Sequence, residues 1–145
     1  MKVMELMHTQ VVTVAPDSTA RDAVDKMDLY QISGLPVVDE DNNVVGMVSE
    51  HDIIRYLVPS YGVKKVGFKH SLTDLSTQAD YVAERKVSEI MSPNVIVVDE
   101  NMKALDAAVL MLQHHIKRLP VTAEGKLVGI IGRIDICQAV LGGNL

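Results

Sequence analysis

One stretch of this chain occurs twice. Met7 to Pro36 overlays Met91 to Pro120 at a constant offset of 84 (91 − 7). Along it Val11 meets Val95, Val14 meets Val98, Ala20 meets Ala104, Asp22 meets Asp106, Ala23 meets Ala107, Met27 meets Met111 and Ile32 meets Ile116. Leu35-Pro36-Val37 then meets Leu119-Pro120-Val121. One deletion in the next turn changes the offset to 83 (128 − 45), and Val45-Gly46 pairs with Val128-Gly129, then Asp52-Ile53 with Asp135-Ile136. A register held over this span means that one supersecondary unit of roughly sixty residues is used twice, and a unit that small needs its neighbour to cover its apolar face. The chain divides into a first repeat over 1–58, a connector over 59–86 and a second repeat over 87–145.

Each repeat is expected to run strand, helix, strand, strand, helix. The β-branched runs Val11–Val14 and Val95–Val98 read as the opening strands. Ala20, Ala23, Val24 and Met27 recur at i, i+3, i+4, i+7, as do Ala104, Ala107, Ala108 and Met111, which is the spacing of an amphipathic helix. Thr19 with Asp22 forms a capping box for the first helix, whereas the second has Lys103 in the capping place. Leu35–Val38 with Val44–Ser49, and Pro120–Thr122 with Leu127–Ile131, read as hairpins. Helices are expected from about Glu50 to Val58 and about Arg133 to Leu141, the latter stopping at Gly142-Gly143. The connector carries Pro59, Gly62, Gly67 and Lys64-Lys65, with a short helix expected near Asp80–Arg85.

Composition narrows the class. Of 145 residues, 48% are hydrophobic and 23% charged, enough for a real core in one soluble domain. No apolar run approaches the roughly 18 residues of a membrane span, and Met1 to Gln10 lacks a signal peptide's apolar stretch. A cytoplasmic protein with no membrane partner is expected. Net charge is −5 with no basic tract, which argues against nucleic acid. The single cysteine, Cys137, has apolar neighbours Ile134, Ile136 and Val140 and is expected in the core.

The chemistry concentrates in Gly46-Met47-Val48-Ser49-Glu50-His51-Asp52, where a strand enters a helix. Ser49 and Asp52 have the spacing of a capping box. The same groups also suit a ligand, because free N–H groups and a hydroxyl at a helix start take an anion while a carboxylate accepts ribose hydroxyls. The second copy, Gly129-Ile130-Ile131-Gly132-Arg133-Ile134-Asp135, keeps the glycine and the aspartate without the hydroxyl. Capping alone does not account for that retained aspartate, which favours the ligand reading.

These paired motifs, the two Leu-Pro-Val segments and the repeat order resemble a tandem pair of cystathionine-β-synthase (CBS) domains, the Bateman module, over nearly the whole chain. The resemblance implies an α/β (α+β) fold with two β-α-β-β-α repeats packed about a pseudo-twofold axis into one disc-like module, often a homodimer through its helices. It implies adenosine-containing ligands (AMP, ADP, ATP or S-adenosylmethionine) in up to two inter-repeat clefts, no cofactor, and regulation of a partner protein that the sequence does not identify.

Carried over by position, one cleft would use Met47, Ser49 and Asp52 with Ile96 and Pro120. Asp52 would hold the ribose, Ile96 and Pro120 would bracket the adenine, and Ser49 would reach ribose or phosphate. The mirror cleft would use Ile130 and Asp135 with Val12 and Pro36. Lys117-Arg118 stands where the first copy has Ser33-Gly34, so Lys117, Arg118 and Arg133 are the expected phosphate contacts, an ordinary surface role being the alternative. His51 is a further candidate contact. The expectation is one strong site at Asp52 and one weak or empty site at Asp135.

Other constellations carry less. Glu50-His51-Asp52 cannot converge on a metal because consecutive helical side chains diverge, and His114-His115 has the same fault. Met4, Met7, Met27, Met102 and Met111 read as packing side chains. No nucleophile stands beside a base, and no Gly-rich loop precedes a lysine, so an enzyme is not expected. The alternative to a ligand sensor is a structural or dimerisation module with degenerate, unoccupied clefts.

Overall fold

A computed structural model describes residues 1–57 and 79–143. Val58, Pro59, Gly62, Lys64-Lys65 and Gly67 lie outside the described residues. In chain order the elements are a 3₁₀ turn (Val3–Glu5), α1 (Ala20–Tyr30), β1 (Gly34–Val38), β2 (Val44–Ser49), α2 (Glu50–Leu57), α3 (Val87–Ile90), β3 (Val98–Asp99), α4 (Ala104–Gln113), β4 (Arg118–Ala123), β5 (Lys126–Gly132) and α5 (Arg133–Leu141). Residues 79–83 are also helical, where the short connector helix was expected.

The chain forms two compact units, and neither is a contiguous repeat. The Asp52 unit comprises the described residues of Val12–Asp39 and Val45–Asn94; the Asp135 unit comprises those of Met1–Val11, Glu40–Val44 and Val95–Leu145. Each unit thus contains the leading segment of the other repeat. Val3 and Val87, equivalent under the offset of 84 (87 − 3), are both fully buried, each in the core built on the other repeat's strands.

The Asp52 unit packs α1 against a sheet of β1 and β2, with Val14, Ala20, Ala23, Met27, Leu35, Val37, Val48, Val87 and Ile90 in its core. The Asp135 unit has a three-stranded sheet in the order β3-β4-β5, with Val98, Ala107, Met111, Leu119, Val121, Ile131 and Ile136 beside Val3. The β4–β5 turn places Glu124 and Gly125 both at positive φ (52° and 80°), the two-residue geometry that matches strand twist.

The opening strands are shorter than the β-branched runs suggest: Val14 makes one parallel bridge to Val37, and β3 is two residues pairing with Val121 and Thr122. The cause lies across the ladder. Val14 N–H donates to Pro36 O (3.1 Å) and Val38 N–H to Val14 O (3.0 Å). The next rung of a parallel ladder would need the N–H of Pro36 in one unit and of Pro120 in the other, and proline has none.

Capping follows the sequence. Thr19 N–H donates to Asp22 Oδ2 (3.0 Å) and Asp22 N–H to Thr19 Oγ1 (3.2 Å), while Lys103 gives α4 no side-chain cap. The Thr19 bonds hold the Asp22 carboxyl below its ordinary pKa. Two expectations fail. Cys137 is exposed, because α5 buries Ile136 and Ala139 and turns Ile134, Cys137 and Val140 outward. Met4 is also exposed rather than packed. Exposed apolar side chains line helices in both units: Val24, Leu29, Tyr30 and Ile54 in one, and Leu105, Val109, Leu112, Ile134, Val140 and Leu141 in the other. Among the described residues no helix is long and apolar enough to cross a membrane.

Candidate functional site

Both aspartates stand three residues beyond the end of a strand, and the same backbone contact supports each. In the Asp52 unit, Met47 N–H donates to Ser92 O (3.0 Å) and Ser92 N–H to Met47 O (2.8 Å). In the Asp135 unit, Ile130 N–H donates to His8 O and His8 N–H to Ile130 O, both at 2.9 Å. His8 and Ser92 are equivalent under the offset of 84 (92 − 8). The approach is close enough to require glycine in the strand: a Cβ on Gly129 would lie 2.8 Å from His8 O, and one on Gly46 3.0 Å from Ser92 O.

Asp52 is 5% exposed and fully engaged. Its Oδ2 accepts from Ser49 N–H (2.9 Å) and Ser49 Oγ (3.0 Å); its Oδ1 accepts from Arg55 Nη2 (3.3 Å) and Ser92 Oγ (3.4 Å). Asp135 Oδ2 accepts from Gly132 N–H at 2.7 Å, which is the carboxylate half of a capping box and needs no hydroxyl at the first position. Capping therefore does account for the aspartate in both copies, against the sequence argument. What distinguishes Asp135 is its other oxygen, which meets His8 Nε2 at 2.8 Å.

This pair faces a cavity of about 530 Å³ in the Asp135 unit. Its walls combine apolar side chains of Met7, Ile130 and Ile134 with Arg118 and the Thr9-Gln10 segment. Arg118 lies directly opposite Gly132 in the β4–β5 ladder, and a Cβ on Gly132 would be 3.4 Å from Arg118 Cγ. The other unit reverses the pairing, Gly34 lying beside Ser49, with Cβ to Cβ at 3.5 Å were Gly34 substituted. Glycine thus clears space for a hydroxyl in one copy and for a guanidinium in the other.

Of the residues carried over from the resemblance, Arg118, Ile130 and Asp135 meet in the cavity. Met47, Ser49 and Asp52 meet around Ser92. Ile96 and Pro120 belong to the Asp135 unit, Val12 and Pro36 to the Asp52 unit. Pro36 and Pro120 are buried, and Ile96 and Val12 are half-buried against their units' cores. Lys117, Arg133 and His51 are exposed; Lys117 O accepts from Arg133 N–H at 3.0 Å, but neither side chain lines the cavity. His8, Thr9 and Gln10 escaped the sequence reading. The offset would have exposed His8, because it sets an imidazole where the second repeat has Ser92. Among the described residues no three His, Cys, Asp or Glu side chains are placed to share a metal ion.

Comparison with known proteins agrees with this architecture. The family model for the CBS domain matches residues 3–59 and 87–142. Inosine-5'-monophosphate dehydrogenase of Methanocaldococcus jannaschii is 32% identical over 138 residues; the match takes in 94% of this chain but 23% of the dehydrogenase. A crystal structure of CBSX2, an Arabidopsis thaliana protein, in complex with AMP superimposes with a TM-score of 0.76 at 27% identity, covering 99% of this chain and 98% of that one. The CBS domain pair of MJ0100, crystallised with 5'-methylthioadenosine and S-adenosyl-L-methionine, shares the fold (TM-score 0.73, 22% identity, 97% and 99% covered). With two repeats matched and their glycines, aspartates and prolines placed as described, the chain belongs to the CBS domain family.

Proposed function

We propose that this chain is a regulatory module whose Asp135 cavity takes an adenosine-containing ligand bearing one anionic group, and that occupancy alters its association with a partner protein. One observation carries the reading: an acceptor carboxylate, a guanidinium and an apolar wall converge on one open cavity. A base would lie against Met7, Ile130 and Ile134, ribose hydroxyls would donate to Asp135, and the anion would meet Arg118. The AMP complex of CBSX2 and the 5'-methylthioadenosine and S-adenosyl-L-methionine complex of MJ0100 support the adenosine class. This order reverses the expectation of a strong site at Asp52, whose acceptors are taken by Ser49, Arg55 and Ser92.

The test is thermal unfolding against adenosine, AMP, ATP, S-adenosylmethionine and GMP, followed by circular dichroism. Ligand at about 100 times its Kd adds about 2.7 kcal/mol, a shift of several degrees in a domain of this size. AMP should stabilise more than GMP, and Arg118→Ala should remove the advantage of AMP over adenosine. A flat panel favours the structural reading, and product formation a catalytic one. The structural reading rests on the exposed apolar helices, notably Leu105, Leu112, Ile134 and Leu141. We assign these faces to a homodimer, to be checked by sedimentation with Leu112→Glu, which should yield monomer.

A further inference from the structure

Resting on the nucleoside reading above, we infer that His8 is a built-in competitor for Asp135, so that ligand binding in this cavity is linked to protons. His8 Nε2 sits 2.8 Å from Asp135 Oδ1, the acceptor that Gly132 leaves over and that a ribose hydroxyl needs. Ligand entry must therefore break or share this contact. In neutral imidazole the contact is an ordinary hydrogen bond; protonation makes it a charge-assisted ion pair, roughly twice as strong. A stronger closed pair leaves less carboxylate for the ligand, so acidification weakens binding.

From α5 the ring meets the Asp135 carboxylate, and from β4 Arg118 lines the same cavity. The other lining residues, Met7, Thr9 and Gln10 on the ring's own segment, Ile130 and Gly132 on β5 and Ile134 on α5, carry no charge. Of the two charged groups, Asp135 is the one in direct contact with the ring. The His8 side chain is 67% exposed, which lets water screen the pair and keeps the effect modest.

Among the described residues, the other unit has no histidine at this contact. Ser92, at the matching position, reaches Asp52 Oδ1 at 3.4 Å with a hydroxyl that does not titrate. Proton linkage therefore belongs to the Asp135 cavity, and the residue to exchange is the one the repeat itself supplies.

The experiment is calorimetric titration of the full chain with adenosine, which has no group titrating between about pH 5.5 and 8.5, in wild type and His8→Ser. The backbone bonds of residue 8 to Ile130 survive that substitution. Wild-type affinity should fall about fivefold from pH 8.5 to 5.5, while His8→Ser stays level and binds more tightly than wild type at pH 5.5. A ring resonance absent from His8→Ser should move when adenosine is added to wild type. Equal pH profiles in the two proteins, or tighter wild-type binding on acidification, overturn the inference and leave the nucleoside reading standing. No adenosine binding by either protein at any pH overturns the nucleoside reading and the inference with it.

Discussion

Asp52 accepts hydrogen bonds at 2.9, 3.0, 3.3 and 3.4 Å from three residues and is almost wholly buried. Asp135, the same residue of the same repeat, accepts two, at 2.7 and 2.8 Å, and looks into a cavity of about 530 Å³. The part they share is the carboxylate bond to the N–H three residues earlier, which belongs to helix initiation. The difference comes from four positions of the repeat: Ser92 against His8 at the leading segment, Gly34 against Arg118 across the hairpin, Ser49 against Gly132 at the helix start, and Arg55 against Gln138 (138 − 55 = 83) one turn on. A repeated motif thus fixes a helix start twice, and the neighbours delivered to it give the two carboxylates different partners.

The largest expected effect separates the two aspartates by stability. Asp52→Ala should lower unfolding free energy by about 2–3 kcal/mol in urea, because Ser49 N–H and the hydroxyls of Ser49 and Ser92 lose their acceptor in a buried setting. Nucleoside affinity should barely change; a large loss would return the ligand to Asp52. Asp135→Ala should do the opposite, weakening adenosine binding by about 1–3 kcal/mol in calorimetry at a stability cost of about 1 kcal/mol for one lost capping bond.

Smaller changes extend the contrast to the other helix starts. Lys103→Thr places a hydroxyl three residues before Asp106 and should add about 0.5–1 kcal/mol to unfolding free energy by giving α4 the box that Thr19 and Asp22 give α1. Last comes a pH effect at α1. The Asp22 carboxyl is held below its ordinary pKa of 3.8 by the Thr19 bonds, so its contribution is complete above that value and is lost as pH falls through the lowered one. Wild type should therefore be slightly more stable than Asp22→Asn at pH 7, with the difference vanishing under strongly acidic conditions.

Much of the fold was legible. The helical spacing of Ala20, Ala23 and Met27 and of Ala104, Ala107 and Met111 gave α1 and α4 with their buried faces, and the turn chemistry gave both hairpins. The opening strands are shorter than β propensity predicts because propensity acts along a chain, whereas a ladder ends where its partner strand has proline. Cys137 was misplaced because its apolar neighbours were themselves on the outward face of α5. Arg118, Ile130 and Asp135, which line the candidate cavity, are named by the motif and its resemblance. His8 carries no local mark as the partner of an aspartate 127 residues later, and only the repeat offset, which aligns it with Ser92, points to it.

The sequence by itself determined the repeat, its elements, the family and the pair of glycine-to-aspartate motifs, because periodicity and capping act within a few residues along the chain. Tertiary structure decided the rest. It placed the leading segment of each repeat in the unit built on the other, and with it set Ser92 against Asp52 and His8 against Asp135. Near neighbours in sequence supply three of the four bonds to Asp52, two from Ser49 and one from Arg55, whereas the partner of Asp135 Oδ1, His8, arrives through space and lines the cavity with it.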